Sequence, residues 1–526
     1  MRGSLRRALM VFCSVTIAGC DMAPAYKPER LVFPDNWSGQ GVMRYGRPSD
    51  GAPRSDWWTS FGDQDLNRLE ERAMAANADL QAAAERFTQS RDVAAEAESH
   101  LYPQLGGMAG GTKYKGSKHR LWRGAGATGP VYMSSEQYQA SVTWEPDFWS
   151  SIRNRNMMAR QSAQQSAADY AVARLGIQAE LAQDYIRLRG LDALEAVYNE
   201  SIRYYKTAVE ITKLRLSGAI AAGLDVSRAE TQLFSTQAAL TDVQARRAVM
   251  EHAIAVLVNA APASFHIAPR PDFPFRDVRP APALPSALLE RRPDIAAAER
   301  TMAQANRAIG VSRAAFYPHV TFNAMTGFMD NGFDLASLGN SMYQYGAQAV
   351  LQLFQGGLRR AELQRTWSYY RQTEDDYRAT VLEAFQETED SLTNVSKLRT
   401  ETGQHENAVH AALRTQSMTM QLYTGGLTNY LDVVVAQQAA LVAQIAFVET
   451  RTRQTTAVVD LIRALGGGWS RSDLPKTKDI RPFSVLQYEG LHKPKPVRDV
   501  PQTDNLSDAY LLWNPATATG QAATPR

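Results

Sequence analysis

Leu284–Arg300 reads LPSALLERRPDIAAAER, and at Asp294 within it the chain begins to repeat itself. Asp294–Met329, DIAAAERTMAQANRAIGVSRAAFYPHVTFNAMTGFM, aligns without a gap on Asp79–Tyr114, DLQAAAERFTQSRDVAAEAESHLYPQLGGMAGGTKY. Both segments open on Asp followed by Leu or Ile and carry Ala-Glu-Arg in an Ala-rich run. Both reach Tyr-Pro at the same distance, as Tyr102-Pro103 and Tyr317-Pro318. Further on, Gly218, Asp225-Val226 and Ala229 recur in the same spacing as Gly425, Asp432-Val433 and Ala436. The chain is a tandem duplication of a unit of roughly two hundred residues, and such a repeat overrides any division by length. Two similar halves building one body are expected where size alone would suggest about three or four domains.

Each half predicts an Ala- and Glu-rich helix, a pair of strands and a long helical hairpin. In the first half the helix runs Leu66–Leu101 and is ended by Pro103. Leu105–Tyr114 is a Gly-rich strand candidate, and in Gln137–Glu145 Tyr138, Ala140, Val142 and Trp144 alternate with polar residues. In the second half Val320, Phe322, Ala324 and Phe328 alternate with His319, Thr321, Asn323 and Gly327. Tyr345, Ala347, Ala349, Leu351 and Leu353 alternate with Gln344, Gly346, Gln348 and Gln352. Period two gives each strand one apolar and one polar face. Strands of about nine to eleven residues suit a tilted crossing of a bilayer, and a face bearing Gln, Ser, Thr, Asn and Glu, Glu145 among them, suits a wet barrel interior. Four strands cannot close a barrel, and an open edge is not tolerated in lipid, so the chain must oligomerise.

The remainder reads as helix. Arg153–Leu216 lacks proline and spaces Leu181, Tyr185, Leu188, Ile202, Tyr205 and Val209 by threes and fours; Arg359–Tyr423 is its counterpart. That spacing is the coiled-coil signature. Gly-bearing turns at Ser217–Gly223 and Thr424–Thr428 lead to return helices over Asp225–Val258 and Tyr430–Leu465. The fold class is a membrane β-barrel joined to a long α-helical barrel. The expected organisation is a signal peptide over 1–19, a lipidated arm over 20–62 and a first structural repeat over 63–262. A Pro-rich linker over 263–284, a second repeat over 285–469 and a partly disordered tail over 470–526 follow.

Composition excludes several classes. With 57 basic and 54 acidic residues and no run of like charge, there is no electrostatic footprint for nucleic acid. The only two cysteines are Cys13 and Cys20, so no disulfide framework or Cys-based metal site exists in the body. The eight histidines show no ligand spacing. Gly124–Gly129 matches GxGxxG but lies between strands and opens no helix, which makes it a loop tip. No catalytic constellation emerges; an enzyme and a cofactor are not expected.

The N-terminus carries Arg2, Arg6 and Arg7 ahead of an apolar run, Ala8–Ile17, that is too short to span a membrane and reads as a secretory signal. It ends Thr16-Ile17-Ala18-Gly19-Cys20, which resembles the bacterial lipobox. The resemblance implies an S-diacylglycerol and an N-palmitoyl group on Cys20, whose chains anchor by about 0.8 kcal/mol per buried methylene. Asp21 follows, a residue that in enterobacteria tends to retain lipoproteins in the inner membrane.

Lipobox, strand pair, long hairpin, Pro-rich linker and second copy together resemble the TolC-like outer membrane efflux proteins, and within them the lipoprotein branch called the NodT family. The similarity covers nearly all of Cys20–Trp469. It rests on Pro24-Ala25-Tyr26-Lys27-Pro28, Trp57-Trp58 with Phe61-Gly62-Asp63, Leu284-Pro285-Ser286 with Arg291-Arg292-Pro293-Asp294, and Ala464-Leu465-Gly466-Gly467-Gly468-Trp469. It implies a homotrimer whose strands close a twelve-stranded outer-membrane barrel and whose helices form a periplasmic tunnel. Its partners would be a periplasmic membrane-fusion adaptor and an inner-membrane pump of the RND or another type, and drugs or other small molecules would pass outward. Residue by residue it assigns Asp225, Tyr423 and Asp432 to a gate near the hairpin turns, helix capping being the other role open to both aspartates. Val435 stands where an aspartate of the pore constriction is usual, and Thr428 where some members carry a bridging arginine, so a less charged gate is implied. A type I secretion duct and an inner-membrane-anchored periplasmic coiled-coil scaffold are the alternative functions.

Overall fold

The computed structural model describes residues 20–27, 37, 56–117, 132–278, 288–330 and 337–480. The signal peptide, the GxGxxG stretch, the end of the linker and the tail beyond Ile480 lie outside the described residues. The helices are α1 (Gln64–Ala76), α2 (Ala78–Ser99), α3 (Ser151–Ser217), α4 (Gly223–Leu257), the short α5 (Leu288–Arg291), α6 (Pro293–Ala314), α7 (Leu358–Thr424) and α8 (Tyr430–Ala464). The strands are β1 (Gln104–Lys115), β2 (Tyr132–Trp144), β3 (His319–Asp330) and β4 (Ser341–Val350). The duplication holds to the residue in three pairs of helices. α3 and α7 each have 67 residues, α4 and α8 each 35, and α2 and α6 each 22. At 1.5 Å per residue α3 and α7 are rods of about 100 Å.

Two expectations are corrected. The first helix does not run unbroken from Leu66 to Leu101 but is split at Asn77, whose backbone leaves the helical region (φ −62°, ψ 126°). Its side chain accepts from the Leu80 N–H at 3.0 Å, and its Nδ2 donates to the Leu257 carbonyl at 2.9 Å. A short side chain that can bond the backbone outcompetes the helix at that point, although Ala and Glu on either side favour continuity. The last strand spans Ser341–Val350 and does not reach Leu353. Its partner β3 begins at His319, opposite Val350, and Pro318 before it has no N–H to extend the ladder.

The four strands form one antiparallel sheet in chain order, β1-β2-β3-β4. Its register sets Gln104 opposite Thr143, Thr143 opposite Asn323 and Asn323 opposite Gly346. Paired residues share a face, so Gln104, Gln137, Gln139, Ser141, Thr143, Asn323 and Gln344 fall on one side. Leu105, Tyr138, Phe322 and Tyr345 fall on the other. β1 and β4 have no partner on their outer sides among the described residues.

Where the halves meet, the helices form the main core. Leu181, Leu188 and Tyr185 of α3, Val381 of α7 and Leu461 of α8 are fully buried with Trp57, Trp58 and Phe61. Each large aliphatic side chain buried this way contributes about 1.5–3 kcal/mol. Asp63 caps α1 through Asp65 and Leu66 at 2.9 and 3.0 Å, and it also accepts from the Tyr185 hydroxyl and Arg270, each at 2.8 Å. The described part of the linker is a strap sewn onto α3 and α4. Arg189 donates to Asp192 and to the Ala268 carbonyl, Arg247 donates to Asp192 and to the Ile267 carbonyl, and Phe265, Phe273 and Phe275 pack on the core.

The motifs Arg291–Asp294 and Ala464–Trp469 interlock. Arg292 donates to Asp294, to Glu387 at 2.7 Å and to the Ala464 carbonyl at 3.2 Å. Gly466 has φ +93°, and a Cβ there would stand 2.0 Å from the Arg291 carbonyl oxygen. Only glycine fits. From there the chain continues through a capping box at Ser470 and Asp473, and Ile480 is buried against Ala94 and Ala163. The first part of the tail is therefore packed structure.

Candidate functional site

The two hairpin turns, α3–α4 and α7–α8, lie side by side. Threes-and-fours spacing buries Ile202, Tyr205 and Val209 of α3 against Ala229 and Leu233 of α4, and Tyr423, Tyr430 and Val433 join them from the second hairpin. Tyr423 and Tyr430 meet edge-on with ring centroids 5.1 Å apart. Arg215, near the end of α3, lies with its guanidinium 4.5 Å from the Tyr423 ring centre. The same group donates to the Tyr423 carbonyl at 2.5 Å and to Thr424 at 3.4 Å. It thus satisfies carbonyls that the end of α7 leaves open and places a cation at that helix's negative pole.

Asp225 stands in the first turn of α4, 4.0 Å from Arg228. Burial raises the Tyr423 phenol above its ordinary range, the Asp225 charge raises it further, and Arg215 works in the opposite direction. Tyr430 is raised by burial and then by Tyr423 and Asp225. The Asp225 charge is thus felt at Tyr423. Asp432 lies apart from that pair. It sits exposed in the first turn of α8, bonded to the Thr428 hydroxyl, while its N–H donates to Asn429 Oδ1 at 3.1 Å. Neither aspartate is an N-cap: that position belongs to Ala222 in α4 and to Asn429 in α8. Both are instead third-residue acids that complement the helix dipole. Around them Ile220, Leu224, Leu427, Leu431 and Val435 are exposed, so the tip is more apolar than charged. Thr428, where some family members carry a bridging arginine, donates to Asp432.

Arg215, Tyr430 and Asn429 were not legible from the sequence. The offset that pairs Asp225 with Asp432 sets Arg215 against Leu422 and Tyr430 against Gly223. The repeat thus offers no second copy of either residue.

At the other end of the rods, the arm Cys20–Tyr26 crosses the start of α3 and the length of α6. Cys20 is exposed, and its carbonyl accepts from Ser150 Oγ at 3.1 Å. Asp21 accepts from Asn154 and Ala23 at 3.0 Å and from Arg307 at 2.8 Å. Burial alone would raise its carboxyl; these donors outweigh burial and hold it below the ordinary value. Asn306 donates to the Pro24 carbonyl at 2.9 Å, and the Tyr26 hydroxyl donates to Glu299 at 2.8 Å. Beside this arm Trp149 stacks on Tyr317 at 4.5 Å and donates to the Pro318 carbonyl, which fixes the root of β3. Cys20 is thus held where strands give way to helices. Among the described residues no three His, Cys, Asp or Glu side chains converge on a metal-sized space.

The sequence pattern of the outer membrane efflux protein family matches residues 69–260 and 284–467, one span in each repeat. The chain is similar to the pyoverdine export outer membrane protein OpmQ of Pseudomonas aeruginosa, with 28% identity over 471 residues that cover 89% of this chain and 98% of the relative. It is also similar to nodulation protein T of Rhizobium leguminosarum bv. trifolii, with 25% identity over 464 residues, 87% of this chain and 97% of the relative. Among solved structures, the outer-membrane channel OprN superposes with a TM-score of 0.78 at 24% identity, over 86% of this chain and 100% of that one. The last likeness is one of fold.

Proposed function

The chain belongs to the outer membrane efflux protein family, and from that premise we propose that three copies close into one duct, lipid-anchored at Cys20 and shut at the hairpin turns. As a member of that family it is the outer-membrane channel component of an efflux system, which sets aside the inner-membrane scaffold. The observation that carries the trimer is the four-stranded sheet with two unpartnered edges, one polar face and one apolar face. In lipid such edges must pair, and the free edge of β4 is complementary to that of β1 in a second copy. The polar faces then line the lumen.

Conduction requires no chemistry from the chain. The long hairpins carry the lumen into the periplasm, and an adaptor with its inner-membrane pump supplies direction and energy. Closure rests on Arg215 clamping the end of α7, on the Asp225–Tyr423 neighbourhood, and on the apolar rim of Leu427, Leu431 and Val435; Asp432 adds charge at the rim. Relatives are named for pyoverdine export and for nodulation, and small molecules are accordingly proposed as cargo. Cys20 at the root of the sheet places acyl chains at the periplasmic leaflet, where they reinforce the barrel's position.

The test is the mass and conductance of the detergent-purified mature protein. A three-chain mass and a small, infrequently opening conductance in planar bilayers are expected. A stable monomer, or a permanently wide pore, would overturn the closed trimer. Absence of a diacylglyceryl mass increment on the N-terminal peptide would overturn the anchor.

A further inference from the structure

The polar face of the sheet carries an unexpected residue type. Met342 of β4 stands directly opposite Gly327 of β3, and Met325 and Met329 flank that glycine two residues away on either side. Residues directly opposite, and those two positions along the same strand, share one face. The diagonal separation from Met342 to each flanking methionine is therefore about 7–8 Å between backbones. Three rotatable bonds let each thioether swing inward over the glycine. Glycine is enforced there: a Cβ at 327 would lie 2.0 Å from the Tyr138 carbonyl oxygen. No side chain therefore projects from position 327 between the three methionines.

The row extends across the sheet. Gly327 pairs with Gln139, and Gln139 pairs with Met108; the Gln139 amide lies 3.7 Å from Met108 Sδ. Met108 and Met329 are 49% and 45% exposed, so these thioethers face open space and fill no core. Their neighbours on this face are Gln137, Ser141, Asn323 and Gln344, a polar surface that apolar packing does not account for. The face carries no carboxylate within the paired stretch from Gln104–Thr143 to Met329, so a hard cation finds no charged oxygen ligand there.

We propose that Met325, Met329 and Met342 form a thioether site in the barrel lumen for a soft monovalent cation, copper(I) or silver(I), with Met108 as a fourth sulfur at the far side of Gln139. Thioethers are neutral, soft ligands that select Cu(I) over hard ions. A weak, uncharged, multi-residue site holds an ion without trapping it, as a conducting passage requires. The inference uses the lumenal placement of the polar face but not the gate or the cargo of the proposed duct, and binding is read without transport.

The experiment is silver(I) titration of the full-length, lipidated trimer in detergent, read by calorimetry and by metal content after desalting. Silver avoids a redox step, and lipidation removes the Cys20 thiol as a competitor. About one silver ion per chain is expected in a site of this ligand set, and Met342→Leu or Met325→Leu, which conserve volume, should weaken binding by at least about tenfold. Equal silver uptake by the wild type and both variants, or no uptake by the wild type, overturns the site. Should a variant fail to assemble, X-ray absorption at the silver edge of the wild type decides: sulfur scatterers support the site, and nitrogen or oxygen scatterers alone overturn it. A monomeric protein that binds silver through these residues would overturn the trimer and leave the ligand set standing.

Discussion

Arg215→Ala removes the side chain that ties the first hairpin to the C-terminal end of α7. The guanidinium donates to the Tyr423 carbonyl at 2.5 Å and lies 4.5 Å from the ring centre. A hydrogen bond from a charged donor contributes about 1.5–3 kcal/mol, and a partly exposed cation–π contact about 0.5–1 kcal/mol. Because Arg215 is only half-buried, the lower end applies, about 2 kcal/mol per chain. For one chain that is roughly a thirtyfold change in an equilibrium. If three chains open as a unit, the contributions combine to about 6 kcal/mol, enough to take a two-state gate from about 1:99 to 99:1.

The assay is open probability in planar bilayers, paired with entry of a large antibiotic into cells that lack the cognate pump. Arg215→Ala should be mostly open and should admit the antibiotic. Arg215→Lys keeps the charge but loses the flat stacked contact, and should fall between the two. Tyr430→Phe removes a buried hydroxyl that has no partner among the described residues, so it should leave closure unchanged. Normal trimer levels with unchanged open probability and unchanged antibiotic entry in Arg215→Ala would refute the clamp.

Asp432→Ala loses only its contacts with Thr428 and a favourable place in the helix dipole, worth about 0.3–1 kcal/mol; antibiotic leak should rise far less than in Arg215→Ala. Arg292→Met leaves the Ala464 carbonyl without its donor and takes the cation from the partly exposed Asp294 and Glu387 carboxylates, at a cost of about 1–3 kcal/mol, and should show as loss of heat-stable trimer on gels. Glu70 is 0% exposed, both its carboxylate oxygens lack a partner among the described residues, and burial raises its pKa well above the ordinary value. A folded pKa above the unfolded value gives stability that is full below about pH 4.3 and is lost as pH rises toward the folded value. Wild-type Tm should therefore decline as pH rises above that point, and Glu70→Gln should flatten that part of the profile and raise Tm at neutral pH.

The frame was open to sequence reading because it rests on period and length. The boundaries of α3, α4, α7 and α8 lie within two residues of those set by proline, glycine and the threes-and-fours stripe. Alternation in Tyr138–Trp144 likewise fixed the faces of the sheet. What stayed hidden depends on partners distant in the chain. Asn77 breaks a helix because Leu257, 180 positions away, offers it a carbonyl. β4 stops at Val350 because its partner strand begins after Pro318. The linker's role comes from Arg189 and Arg247 reaching its carbonyls, which no local composition signals.

The gate residues show why a duplication reveals a frame more readily than a site. Two copies that must form equivalent wall segments are constrained to equal helix lengths, and the paired helices here have kept them. At the tips the copies touch each other and not their own images. Arg215 of the first hairpin closes on Tyr423 of the second, and the position equivalent to Arg215 holds Leu422. An interaction between unlike copies needs only one member of each pair, so the repeat carries no duplicate of it. The aspartates that do repeat, Asp225 and Asp432, occupy the same turn of their helices and share the helix-dipole role. Only Asp225 acquires Tyr423 as a neighbour. Exchanging only the two equivalent residues, Arg215→Leu with Leu422→Arg, would keep every helix length, every repeat motif and Tyr423 in place. A gate that depends on the cross-hairpin clamp should then lose closure to the degree that Arg215→Ala does, whereas a gate held by the repeated aspartates should stay shut.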